Sequence, residues 1–433
     1  MILKEIEKEI LSNQKKGEFI LPFYDKFCLS NVPKTVMDFF GVSGSGPKSF
    51  LNYLPEKYRS FRGNKNLKII LLVVDGFGYH QWLNSYQKLP FFKRLTQKGT
   101  LLPLTTIFPS TTTAAITTLQ TALEPQEHAL FEWFLYFKEL DQIIMPLPFS
   151  SMEKRSQDGL LEKGVSPKIL FDKKTIYQKL KGGGTTSYCF MKDTFAKGAY
   201  NSRLFRGASV VSYKNSSDLT VLVRKHLKRV RGTSYFYVYW GDVDTIAHTY
   251  SLKSEEYDTD LLNLSFQWKT FLEKLAKDTA KNTLLIVLAD HGQISVDPKK
   301  TIYLNKYKWL INSFEKSKRG RLLLPTGSPR DVFLHIKPRK LEEIKTKLSK
   351  ALKGRALVLL IEEAIKMGLF GQGSVNKSFL ERAGNLLVLP RGNRTVWYEH
   401  FKGKRFSHFG HHGGLLKEEM IIPFAIARLS DLI

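Results

Sequence analysis

The chain has 433 residues, of which 42% are hydrophobic, and 67 Lys and Arg against 40 Asp and Glu leave a net charge of +27. A sizeable core is expected, either one large α/β domain with a smaller insertion or two domains. Two widely separated cysteines, Cys28 and Cys189, argue against a disulfide framework and a thiolate metal site, so any metal must be held by His and carboxylate.

The opening "MILKEIEKEILSNQKK" is charged throughout, with neither the apolar core nor the cleavage site of a secretory signal. A cytoplasmic protein is expected. Residues 1–65 read as a lead-in: a short helix, then "LPFYDKFCLSNVPKTVMDFFGVSGSGP", whose Pro, Gly and Ser suggest a segment wrapping the surface of the next domain. From Leu67 onward, apolar runs alternate with helical stretches: 68–74, 185–190, 235–240, 284–289 and 420–427. None approaches the roughly 20 residues needed to cross a bilayer. Continuous β-branched runs with long intervening helices predict a mostly parallel central sheet covered by helices, in an α/β sandwich formed by 66–309 and 401–433. Residues 310–400 differ in composition and predict a small α+β cap insertion. The basic residues are spread along the chain, as in "HLKRVRG" (226–232) and the helix-spaced 337–355, which suits a general Lys-rich bias and attraction of an anionic substrate. A nucleic-acid surface is the alternative use of that charge.

In open α/β sheets ligands bind beyond the carboxyl ends of the strands. Polar residues there are Asp75 in "LLVVDGFGYH", Asp244 and His248 in "YVYWGDVDTIAH", Asp290 and His291 in "VLADHG", and His411 and His412 in "FGHHGG". Singly, each has an ordinary use as a turn, a solvated helix face or a helix cap. Jointly, three carboxylates and three imidazoles are a ligand set for two zinc-like ions, and such a pair can clamp the attacking and leaving oxygens of a phosphoryl transfer. "TTIFPSTTTAAITTLQTALEP" (105–125) adds hydroxyls at the start of an Ala-rich helix, where caps are usual but where the helix N-terminus also favours an anion.

With these motifs the sequence resembles the alkaline phosphatase superfamily, and within it the type I phosphodiesterase/nucleotide pyrophosphatase family, from about residue 20 to the C-terminus. The resemblance rests on "ILLVVDGFG", "FPSTTTAAITTLQTALEPQEHALFEW", "VYWGDVDTIAH", "VLADHG" and "HHGGLLKEEMIIPF" in that order. It implies that Asp75, Asp290 and His291, with the nucleophile, hold one divalent ion, and that Asp244, His248 and His412 hold the other. Zinc is the expected metal, with manganese as the alternative. Thr121-Ala122 stands where the family has Thr-Gly, and that spacing points to Thr112 as nucleophile, with Thr111 and Ser110 as alternatives. His412 is preferred over His411 because it directly precedes Gly-Gly. The family's "HGIVGN" reads "HALFEW" here, so Trp133 stands where an asparagine is usual. The sulfatase and cofactor-independent phosphoglycerate mutase signatures are absent. The implied activity is metal-dependent hydrolysis of a phosphodiester or pyrophosphate, such as that of a nucleotide, through a phosphothreonine; a phosphomonoesterase, a phosphoryl transferase and a basic nucleic-acid-binding protein retaining the fold are the alternatives. Phe131, Trp133 and Arg330 are candidates for contacting substrate, with core packing the expected role of the two aromatics.

Overall fold

The structure is a computed structural model and describes residues 1–42 and 48–433. Residues 43–47, the glycine- and serine-rich part of the expected surface segment, lie outside the described residues. The central sheet contains β1 (Lys68–Val74), β2 (Thr100–Thr105), β3 (Thr186–Lys192), β4 (Ser209–Tyr213), β5 (Ser234–Trp240), β6 (Thr283–Leu288) and β7 (Ile421–Arg428), in the spatial order β2-β7-β6-β1-β5-β3-β4. The middle strands β6, β1, β5 and β3 are parallel, as is the β3–β4 pair. Only β7 runs antiparallel, to both its neighbours. β6 is buried at every position, as expected of a strand with helices on both faces.

Register explains how distant residues meet. Val73 of β1 pairs with Leu288 of β6, and Val74 pairs with Trp240 of β5. Extending the first pairing by two residues sets Asp290 beside Asp75, and the Asp75 amide donates to the Trp240 carbonyl at 2.9 Å. The helix Asp242–Tyr250 then begins directly beyond β5.

The lead-in is part of the core. Phe27, Cys28, Leu29, Val32 and Phe39 are buried in the main hydrophobic cluster, and Cys28 bridges to Thr105 at the end of β2. The expected surface wrap is therefore corrected for the described residues: the aromatic and β-branched side chains of 19–42 have too much apolar area to lie on a surface.

A second sheet, antiparallel throughout, has strands Thr326–Ser328, Asp331–Leu334, Leu386–Pro390 and Ala356–Leu360 in that spatial order. The helix Leu341–Ala351 packs on it through Ile344 and Leu348. Its core also draws in Phe134, Met145 and Met152, which come from well before residue 310. No described helix is long and apolar enough to cross a membrane.

Candidate active site

Asp75, Thr112, Asp244, His248, Asp290, His291 and His412 come from five segments of the chain and converge at the carboxyl ends of β1, β5 and β6. Asp75, Asp290 and His291 are buried, and their potential ligand atoms lie within 4.8 Å of one another. The His291 Nε2 is 3.4 Å from Asp75 Oδ1 and 3.5 Å from Asp290 Oδ2. A second group unites Asp244, His291 and His412 within the same limit of 4.8 Å. There the His248 Nε2 is 3.2 Å from Asp244 Oδ2, and the His412 Nε2 is 3.7 Å from Asp244 Oδ1. The His291 and His412 rings stack with centroids 3.7 Å apart, which ties the two groups together.

Backbone carbonyls orient the imidazoles. His248 Nδ1 meets the Gly410 carbonyl at 2.7 Å, and His412 Nδ1 meets that of Ser110 at 2.9 Å. With Nδ1 held by a carbonyl, each Nε2 is turned toward the carboxylates, the usual arrangement behind a metal-ligating histidine.

The three hydroxyls of the Ser110-Thr111-Thr112 run have different surroundings. Ser110 Oγ donates to the Gly414 carbonyl at 2.8 Å and accepts from the Gly413 amide at 3.1 Å. Thr111 is the cap of the helix Thr112–Thr121 and donates to the Phe131 carbonyl at 2.9 Å. Thr112, only partly buried, places Oγ1 3.1 Å from His291 Nε2. Of the three, it is the hydroxyl directed at the carboxylate–imidazole cluster. The preference for His412 over His411 has a similar basis: His412 faces Asp244, whereas the His411 ring nitrogens make no hydrogen bond.

Asp75 Oδ1 and Asp290 Oδ2 are buried without a hydrogen-bond partner among the described residues. Burial, then the Asp290 and Asp244 carboxylates, push the Asp75 carboxyl well above its ordinary range. Burial also raises Asp244, but the paired His248 imidazole outweighs it and holds that carboxyl below the usual range. Burial and the neighbouring His291 push His412 well below the ordinary imidazole value, so it is a neutral ligand-type nitrogen. Unpaired carboxylate oxygens in such a place cost several kcal/mol unless a proton or cation compensates them. Oxygen and imidazole donors grouped in this way fit divalent ions of the zinc or manganese type.

Several supporting residues were not recognised in the sequence. The Tyr239 hydroxyl donates to Asp75 Oδ2, and the Gln293 side-chain amide donates to Asp244 Oδ1. Tyr239 belongs to an aromatic strand and Gln293 follows "DHG"; nothing in their spacing distinguishes them from core or turn residues. The nearby Arg330 is fully buried and forms a two-point ion pair with Glu419, Nε to Oε1 at 2.9 Å and Nη2 to Oε2 at 2.8 Å. Its Nη1 donates to the Gly392 and Arg394 carbonyls. Arg330 is thus corrected from substrate contact to structural tie: Glu419 also accepts from the Gly414 amide at 2.9 Å, which steadies the loop after His412. Phe131 is a core residue as expected, whereas Trp133 is 43% exposed, so the core role does not hold for it.

The profile of the type I phosphodiesterase/nucleotide pyrophosphatase family matches residues 69–415, and the chain belongs to that family. It is an enzyme of this class of phosphoric ester hydrolases. Among solved structures, it is similar to murine ectonucleotide pyrophosphatase/phosphodiesterase 5, in an inactive form in complex with AMP, with a TM-score of 0.62 and 17% identity over 83% of this chain and 87% of that one. It is also similar to phosphonoacetate hydrolase from Sinorhizobium meliloti 1021 in complex with phosphonoacetate, with a TM-score of 0.59 and 17% identity over 85% and 94% of the two chains. At these identities the likeness carries the alkaline-phosphatase-like fold. A comparison with curated proteins gives no match.

Proposed function

We propose that the chain hydrolyses a phosphodiester or pyrophosphate of an anionic small molecule, such as a nucleotide, through a phosphothreonine on Thr112 and with two divalent ions. The observation that carries this reading is the position of Thr112 Oγ1, 3.1 Å from His291 Nε2, which itself lies 3.4 and 3.5 Å from the partnerless oxygens of Asp75 and Asp290. Asp75, Asp290, His291 and Thr112 would hold one ion, and Asp244, His248 and His412 the other. When bound, such a pair supplies positive charge that favours the ionised nucleophile and the charge developing on the departing oxygen.

The chain's own residues do the rest. The helix N-terminus presents Thr112 at its first position, where the helix dipole favours an incoming phosphate. Thr111 fills the cap and keeps its own hydroxyl away from the cluster. Thr112 Oγ1 gives up its proton to solvent and attacks phosphorus, the P–Oγ1 bond forms, and the bond to the leaving oxygen breaks, that oxygen taking up a proton from water. Water then attacks the same phosphorus and returns the hydroxyl to Thr112. Tyr239 and Gln293 hold Asp75 and Asp244 by one oxygen each, which fixes the direction of the other.

Assays with bis(nitrophenyl) phosphate and nitrophenyl phosphate, together with metal analysis, test the reading. Diester turnover above monoester turnover, with about two zinc or manganese ions per chain, is expected. Equal or faster monoester turnover would overturn the diesterase assignment in favour of a phosphomonoesterase.

A further inference from the structure

Beside the Asp244 group lies a third cluster, made only of imidazoles. Potential ligand nitrogens of His248, His408 and His411 lie within 4.8 Å of one another. The ring centroids are 4.5 Å apart for His248 and His408, 5.2 Å for His248 and His411, and 5.5 Å for His408 and His411. His408 and His411 have no part in the site assigned above.

His411 is the informative member. It is 6% exposed, and both of its ring nitrogens are buried without a hydrogen-bond partner among the described residues. A buried imidazole has one donor and one acceptor to satisfy, and leaving both unmade is costly. Its backbone is fixed by pairing with Ile294 across the short ribbon of Ile294–Ser295 and Gly410–His411, so the ring stays against His408 and His248. His408 retains solvent exposure, which gives an ion a way in from water. His248 Nδ1 is taken by the Gly410 carbonyl and its Nε2 faces Asp244, so it has no lone pair left for this site and only walls it off from the neighbouring centre.

We propose that His408 and His411, with His248 as the shared wall, form an accessory site for one exchangeable divalent transition ion. Nitrogen-only donors select zinc, cobalt, nickel or copper and reject magnesium and calcium, which demand oxygen. Two firm imidazole ligands completed by water bind more weakly than three or four protein ligands, so this ion exchanges while the others stay bound.

The test is equilibrium dialysis of the intact protein against zinc or cobalt, followed by metal analysis of the wild type, His408→Gln and the double variant His408→Gln/His411→Gln. The proposal predicts that the wild type takes up one ion more than the double variant at saturation, and that magnesium gives no difference. The readout is this difference, so it stands apart from how many ions the main centre holds. Equal zinc content in the wild type and both variants overturns the proposal. His408 is near the surface and its substitution does not disturb the core, so a double variant that fails to fold leaves the single variant to decide: unchanged uptake overturns the site, and a lost or at least tenfold weakened exchangeable ion supports it.

Discussion

Tyr239 is bound to Asp75 through one oxygen and leaves the other free, so this phenol decides where the free oxygen points. Burial, followed by the charge of Asp75, pushes the Tyr239 hydroxyl well above its ordinary pKa and keeps it a neutral donor. Tyr239→Phe should therefore lower metal affinity or kcat by about 10- to 100-fold, with the protein still folded by circular dichroism; unchanged metal affinity and kcat would remove Tyr239 from the positioning machinery. A second buried feature titrates apart from the candidate ligands. Glu132 and Asp331 are both fully buried, and burial lifts Glu132 from 4.5 to about 8 and Asp331 well above its normal value. Between pH 4.5 and 8 the folded chain thus binds more protons here than the unfolded one, so stability falls as pH rises, by at most about 1.4 kcal/mol per pH unit for one group. Urea unfolding at pH 5 and pH 8 should show a smaller loss in Glu132→Gln than in the wild type. Equal losses would mean that Glu132 does not hold its proton in the folded state.

Among the elements, β1, β5 and β6 were legible as continuous apolar runs, and the residues directly after them were legible as site candidates. What the sequence did not show follows from how the other elements are made. Pro103 interrupts the alternation of β2, and β4 is an edge strand exposed at four of five positions to some degree, so neither has the signature of a buried strand. β7 has the composition of a parallel strand but runs antiparallel, because direction depends on where the chain re-enters the sheet and not on side chains. The structural role of Arg330 is not legible in the sequence because its partner, Glu419, lies 89 residues away. The helix bearing Thr112 ends at Ala122 with φ +58°, in a left-handed conformation that glycine adopts without penalty. Ala122→Gly should accordingly stabilise the protein by roughly 0.5–1 kcal/mol in urea unfolding, the left-handed penalty less the entropy cost of glycine. Destabilisation instead would show that the alanine methyl contributes more by packing than the backbone loses.

At the scale of the whole molecule, 67 basic against 40 acidic residues give a net positive field that would favour encounter with the proposed anionic substrate. Raising salt from roughly 50 to 500 mM should increase KM several-fold and leave kcat nearly unchanged, because screening acts on encounter and not on the buried cluster. A salt-independent KM would confine the role of the charge to solubility. The proposed reaction turns on a covalent step at one hydroxyl, and acid quenching during turnover of the metal-loaded enzyme, followed by mass spectrometry of the peptide containing residues 110–112, tests it most directly. A single phosphoryl group on Thr112, absent from a folded and inactive Thr112→Ala protein, is the predicted result; full turnover by Thr112→Ala, or a phosphoryl group on Ser110 or Thr111, would contradict it.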